Sequence, residues 1–306
     1  MRLAEEKGES AAGRQHVAVM LDEVVALVRA LNPTTIADVT VGLGGHAAAL
    51  LRATDAHLLG LDRDATALAA AAANLAEFGS RVTLRQADFA GFDAVLEETG
   101  IPCVGAIVAD LGMSSFALDD ADRGFSFRLD GPLDMRMDRN QSLRAYDIVN
   151  EETETELARI IFEYGEERGS RRIARAIVEA RRRRPIDTTG ELSSLVESVL
   201  GRNRRGGIHP ATRTFQALRI AVNHELESLA TLLDRGPTHL QAGGRMVVLA
   251  YHSLEDRPVK QHFRDLVRGG GFTAVTRKAL RPGTEEAAAN PRARSARLRC
   301  IERVTQ

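Results

Sequence analysis

Between residues 36 and 46 an apolar run, Ile36-Ala37-Asp38-Val39-Thr40-Val41, feeds straight into Gly42-Leu43-Gly44-Gly45-His46, and an alanine- and leucine-rich segment follows. No other stretch constrains the fold as tightly. A short apolar run of this length reads as a buried strand, and the segment from Ala47 to Arg52 reads as a helix. The glycines between them let the backbone take positive φ and let a ligand approach closely, while the helix start offers unpaired N–H groups. The unit then repeats. His57 to Leu61 reads as a second strand closed by Asp62-Arg63-Asp64, with a helix from Ala65 to Phe78. Val82 to Leu84 and Ala106 to Ala109 read as strands three and four, the latter ending at Asp110-Leu111-Gly112. Strands alternating with helices predict a parallel sheet covered on both faces.

Before this unit the apolar spacing predicts a helix over Val17 to Leu31, preceded by a polar, disordered tail at residues 1–13. After it the rhythm breaks. Ser114 to Asn140 is a loop rich in Asp, Arg, Gly and Pro, and Thr153-Glu154-Thr155-Glu156 offers capping-box chemistry for a new helix. From there to about Gly201 the pattern is helical without a strand, and one further amphipathic helix is predicted over Thr212 to Leu233. A strong fifth strand returns at Gly244 to Tyr251, and Phe272 to Leu280 and Ala296 to Val304 read as two final strands. The expected organisation is one sheet domain, residues 14–116 and 206–306, interrupted by a helical insertion, residues 117–205.

The formal net charge of −1 gives no global field for a nucleic acid, so a polyanionic partner needs a local patch. One exists. Between Arg168 and Arg219 there are 13 arginines against four acids, an excess of nine positive charges. Arg181, Arg182, Arg183 and Arg184, with Arg202, Arg204, Arg205 and Arg213, suit phosphates; the bland alternative is a solvated helical face. Only two cysteines, Cys103 and Cys300, are present, which argues against a disulfide framework or a structural zinc site. The His and Asp residues lack metal-ligand spacing, so no metal is expected. The first ten residues lack the apolar core of a signal peptide, and no stretch reaches membrane-spanning length; a cytoplasmic protein without membrane contact is expected.

The glycine turn alone leaves its ligand open. Asp62 ends the next strand, where a carboxylate can accept both hydroxyls of an adenosine ribose. Yet Gly42-x-Gly44-x-x-Ala47 with Asp62 also satisfies the dinucleotide fingerprint, so an NAD-dependent dehydrogenase stands beside an S-adenosylmethionine enzyme. Asp38 inside the first strand and the polar end of strand four, Asp110 to Ser115, favour S-adenosylmethionine.

Several longer strings carry a resemblance. They are Asp110-Leu-Gly-Met-Ser-Ser115, Arg123-Gly-Phe-Ser-Phe127, Gly131-Pro-Leu-Asp-Met-Arg-Met-Asp138, Tyr164-Gly-Glu-Glu-Arg168, His209 to Arg219, His252-Ser-Leu-Glu-Asp-Arg257 and Asn290-Pro-Arg-Ala-Arg-Ser295. From about His16 onward, in this order, they closely resemble the bacterial 16S rRNA cytosine-N4 methyltransferases that act on cytosine 1402. The resemblance implies a Rossmann-like class I methyltransferase sheet with an inserted helical domain for RNA recognition. It implies S-adenosyl-L-methionine as cofactor and 16S rRNA of the small ribosomal subunit as partner. By it, Gly44, Gly45 and His46 contact the cofactor, Asp62 the ribose, Phe89 the adenine side, and Asp110 the methionine end. Two departures stand out. Val41 occupies a turn position where the family has Phe, and Phe116-Ala117 replaces Pro-Gln, so Ala117 cannot supply a glutamine contact. A ribosome-assembly binding protein with a vestigial site is the reading those departures favour.

The chemistry sets its own demands. The exocyclic amine of cytosine is a poor nucleophile, because its lone pair is delocalised into the ring. Attack needs an acceptor for an amine hydrogen, and Asp110, taken as an ordinary aspartate ionised at neutral pH, is the candidate; the alternative is that it only binds the cofactor. His252, after the fifth strand, lies on the same side of the sheet and could bond the base or the RNA backbone.

Overall fold

The computed structural model describes residues 18–113, 115–201 and 208–305. Seven strands form one sheet in the order β3-β2-β1-β4-β5-β7-β6. They are β1 Thr35–Asp38, β2 His57–Asp62, β3 Val82–Gln86, β4 Val104–Asp110, β5 Leu240–Ala250, β6 Phe272–Ala274 and β7 Arg297–Arg303. Strands β1 to β5 pair in parallel, and β7 runs antiparallel between β5 and β6. Helices α1 Leu21–Arg29, α2 Gly45–Ala53, α3 Ala65–Asn74 and α4 Phe92–Thr99 belong to the first half. The two-residue period of the strands sorts the core into two layers. Ile36, Leu58, Val108 and Val247 point to one face, and Ala37, Leu59, Ile107 and Met246 to the other. This is the Rossmann-like sheet expected from the sequence, with β7 antiparallel at the β5 side. From β1 the chain winds outward to β2 and β3, then returns to β4, so the carboxyl ends of β1 and β4 open the crevice where ligands bind.

The insertion begins after β4 with α5 Ser115–Asp119 and continues through α6 Ala145–Glu151, α7 Glu154–Gly165, α8 Ser170–Arg181, α9 Thr189–Leu200 and α10 Thr212–Asn223. Thr153 caps α7 by accepting from the Glu156 N–H at 3.2 Å, as its sequence suggested. A third apolar cluster runs from Ala117 to Val222, and α10 packs on α7. By packing, therefore, α10 lies with the helices, and the chain rejoins the sheet at α11 Glu225–Arg235, followed by α12 Ser253–Arg268 and α13 Thr284–Ala289.

The helix expected over Thr212 to Leu233 is thus two helices. His224 between them sits in the left-handed region (φ 49°, ψ 37°), at a cost of about 1–2 kcal/mol. Its neighbour explains the break. The Asn223 side chain donates to the Met135 carbonyl and accepts from the Met137 N–H, both at 2.8 Å, while its carbonyl accepts from Arg63 at 2.6 Å. Met135, also left-handed (φ 59°), is fully buried in the same clamp. A second tie joins the insertion to the sheet: buried Arg123 reaches Asp64 at 2.7 Å. Other departures are smaller. The strand expected over 36–41 ends at Asp38, and β6 stops at Ala274, with Leu280 making a lone bridge to Leu298. Among the described residues no helix is long and apolar enough to cross a membrane. The expected tail at residues 1–13 lies outside the described residues.

Candidate active site

A cavity of about 310 Å³ opens at the carboxyl ends of β1, β4 and β5. Its first wall is made by the glycine turn. Gly42 and Gly44 have φ of 52° and 85°, and a Cβ on Gly44 would press against Leu75 at 3.2 Å. Asp62 is stitched to both neighbouring turns: Oδ2 accepts from the Gly42 N–H and Oδ1 from the Asp64 N–H, each at 2.9 Å. Each oxygen keeps a lone pair for a hydroxyl. Phe89 and Leu43 add apolar surface, with the Arg63 guanidinium 5.6 Å from the Phe89 ring centroid. His46 Nε2 lies 3.0 Å from the Val19 carbonyl, which can only accept, so Nε2 carries the hydrogen and Nδ1 turns toward Asp110 Oδ2 at 3.7 Å.

Burial dominates the electrostatics of this wall. It raises Asp38, 2% exposed, to about 6, with His46 and the Thr40 N–H offsetting part of the effect. Burial also raises Asp62 and Asp110 above the usual carboxylate range. The expectation of an unperturbed Asp110 is therefore corrected: desolvation outweighs the help of His46 and of Tyr251. Asp38, Asp62 and Asp110 have no lysine or arginine ion-pair partner among the described residues.

The second wall is built from charges that compensate one another. The Tyr251 hydroxyl donates to Asp110 Oδ1 at 2.6 Å, and burial together with Asp110 drives its phenol far up, so it stays a donor. The Asp110 N–H donates to Thr40 Oγ1 at 2.7 Å. The Tyr251 N–H donates to Glu255 Oε2 at 2.7 Å, and His252 Nε2 lies 3.0 Å from Glu255 Oε1 without hydrogen-bond alignment. Against its burial, His252, Arg219 and the Tyr251 N–H hold Glu255 below the usual carboxylate range. Across the His224 break, Arg219 donates twice to Glu225, Nε to Oε1 at 2.9 Å and Nη2 to Oε2 at 2.8 Å.

Thus Gly45, His46, Asp62, Phe89, Asp110 and His252 all line one cavity, and Gly44 sets the turn beside it. Sequence reading passed over Thr40, Tyr251, Arg219, Glu225 and Glu255. Only Glu255 had a local signal, three residues after the helix-capping His252. The spacing argument against a metal cluster was also too narrow, since Glu225 at the start of α11 meets His252 and Glu255 at the start of α12. Arg219 already supplies positive charge there. The arginine run divides. Arg181 is taken up by the Val149 and Glu152 carbonyls at the end of α6, Arg184 pairs with Glu191, and Arg213 donates to the Glu166 carbonyl at 3.3 Å. Arg182 and Arg183 are exposed. Arg202, Arg204, Arg205 and Ser114 lie outside the described residues. Cys103 is exposed and Cys300 buried, with its thiol pushed up to about 12 by burial.

The profile of one protein family, described as the MraW methylase family, matches residues 13–304. The chain belongs to this family. The ribosomal RNA small subunit methyltransferase H of Syntrophotalea carbinolica is 50% identical over 308 residues, covering 95% of this chain and 98% of that one. The protein of the same name from a Methylobacterium species is 48% identical over 311 residues, covering 95% and 91%. The methylase is an S-adenosylmethionine-dependent methyltransferase. Its first wall fits that cofactor: Asp62 and Asp110 line the cavity with Asp38 near them, none has a lysine or arginine ion-pair partner among the described residues, and such acids suit a ligand carrying a sulfonium and an ammonium. A dinucleotide pyrophosphate would add negative charge beside them, which disfavours the dehydrogenase reading. Ala117 is 3% exposed and packed in the insertion's apolar cluster.

Proposed function

We propose that this methylase transfers a methyl group to the exocyclic N4 amine of cytosine 1402 in 16S rRNA, acting on the small ribosomal subunit in the cytoplasm. The observation that carries the reading is Asp110, a half-buried acceptor at the tip of β4, held by Tyr251 and facing the cavity. S-adenosylmethionine supplies an electrophilic methyl group when bound. Gly44, Gly45 and His46 would hold its methionine end, Asp62 its ribose hydroxyls and Phe89 its adenine. Asp110 accepts one amine hydrogen of the cytosine, so the N4 lone pair localises as the new N–C bond forms. The proton displaced from N4 then passes to the Asp110 carboxylate. Its raised pKa makes Asp110 the stronger base for that step. Positioning demands N4 about 3–3.5 Å from the methyl carbon.

Reaching this cavity requires the base to leave its stack. The insertion would hold the flanking phosphates, with Arg182, Arg183 and Arg213 as the described candidates and Arg202, Arg204 and Arg205 beside them in sequence. His252 would stand at the base's entrance. The test is transfer from labelled cofactor to small subunits from a strain lacking the enzyme, followed by mass spectrometry of the RNA. N4-methylcytidine at position 1402 is expected. Label elsewhere, or none, would sink the reading.

A further inference from the structure

The second wall holds one clamped cationic group that lines the cavity with donors to spare. Three arginines line the cavity: Arg63, Arg219 and Arg292. Arg63 is committed to Asp88 and the Asn223 carbonyl, while Arg292, 3.7 Å from an exposed Asp119, has no hydrogen bond among the described residues to fix its guanidinium. Arg219 differs. Glu225 engages only the Nε and Nη2 edge of its guanidinium, leaving both hydrogens of Nη1 and one of Nη2 without an acceptor among the described residues. The side chain is 16% exposed, and that exposure belongs to a cavity-lining residue. A guanidinium gripped at two points has its plane set in advance, which makes its remaining donors specific rather than merely positive.

The same wall links Asp110 to Arg219 by two hydrogen bonds and a charge. Tyr251 bonds Asp110 through its hydroxyl and Glu255 through its backbone N–H, and the Glu255 charge acts on Arg219. An acceptor at one end and fixed donors at the other match one base edge. Cytosine shows, side by side, an amine donor at N4 and acceptors at N3 and O2. We infer that Arg219, locked by Glu225, binds the N3/O2 edge of the target cytosine while Asp110 takes its N4 hydrogen. This inference rests on the cytosine-N4 reading above. It makes Arg219 the residue that rejects uracil, which turns an N3–H donor toward the guanidinium.

The experiment crosses an enzyme change with a base change. Wild type, Arg219→Gln and the charge-balanced pair R219Q/E225Q are each given small subunits reconstituted with 16S rRNA carrying cytidine or 3-deazacytidine at the target. Cofactor affinity, measured by calorimetry, should stay within about threefold of wild type in every variant that folds. On cytidine, Arg219→Gln should lower kcat/KM about 10- to 100-fold, the range for one lost charge-assisted hydrogen bond. 3-Deazacytidine should lower wild type by a similar factor, yet change the Arg219 variants less than about threefold, because their partner is already gone. Losses that multiply, or wild-type rates in Arg219→Gln, would overturn the inference. If wild type itself leaves no N4-methylcytidine on the cytidine substrate, the functional reading fails instead.

Discussion

The two walls of the cavity handle charge in opposite ways. The glycine-turn wall buries Asp38 and half-buries Asp62 and Asp110, with backbone N–H groups, a tyrosine and a histidine as neighbours, and desolvation lifts all three carboxyls. The facing wall buries Glu225 and Glu255 around Arg219, and there the acid Glu255 is lowered and the arginine raised. Uncompensated acids store free energy that a cationic ligand releases; compensated charges present donors at little further cost. One wall is therefore built to take up a cofactor, and the other to hold a base edge in place.

Substitutions can break this contrast. The largest effect is expected at Asp110, where both walls meet. Asp110→Asn should cost at least about 10³-fold in single-turnover transfer while leaving the melting temperature near wild type. Tyr251→Phe should cost less, about 10- to 100-fold. It also removes a bond that favours the ionised carboxyl, so Asp110 should titrate higher still and the rising limb of the pH–rate profile should move to higher pH. Full activity in Asp110→Asn, or an unshifted profile in Tyr251→Phe, would detach that pair from the chemistry.

A middle-sized effect is expected at Asp38, on stability. Its folded pKa, about 6, lies above the unfolded value of 3.8, so the native state binds the proton more tightly. Ionised Asp38 thus destabilises the free protein, by up to about 3 kcal/mol, and that loss develops as pH rises from about 4 to 6. Asp38→Asn should recover much of it at pH 7 and flatten denaturant midpoints across that window. An Asn variant less stable than wild type at pH 7 would show that the site is not under this stress.

The smallest effects separate arginines that look alike in sequence. Arg182→Ala with Arg183→Ala should weaken RNA binding a few-fold and reduce the slope of log affinity against log salt by about 1.4–1.8. Arg181→Ala should leave that slope unchanged and instead cost about 1 kcal/mol of stability, because its guanidinium satisfies carbonyls at the end of α6. An equal loss of slope in both would return Arg181 to the RNA.

What could be read directly from the chain was what neighbours in sequence decide. The run into Gly42-Leu43-Gly44-Gly45-His46, the acid at the end of β2 and the polar end of β4 are each set by period-two burial and by the backbone freedom of glycine, which act over a few residues. Together with the long strings that carry the family, they were enough for the fold class, the cofactor and the position of Asp110. The wall that faces them was hidden. In a continuous helix, residues 219 and 225 stand about 9 Å apart along the axis and about 120° apart around it, so no pattern search would pair them. They meet because Asn223, gripped by Met135, Met137 and Arg63, ends α10 and forces His224 into the left-handed region. The rise of the three carboxyl pKa values is equally invisible in composition, since desolvation depends on what the rest of the chain folds over them. The sequence by itself determined the sheet, the glycine turn and the acids at the strand ends; only the tertiary structure decided which charges are left uncompensated and which arginine faces the base.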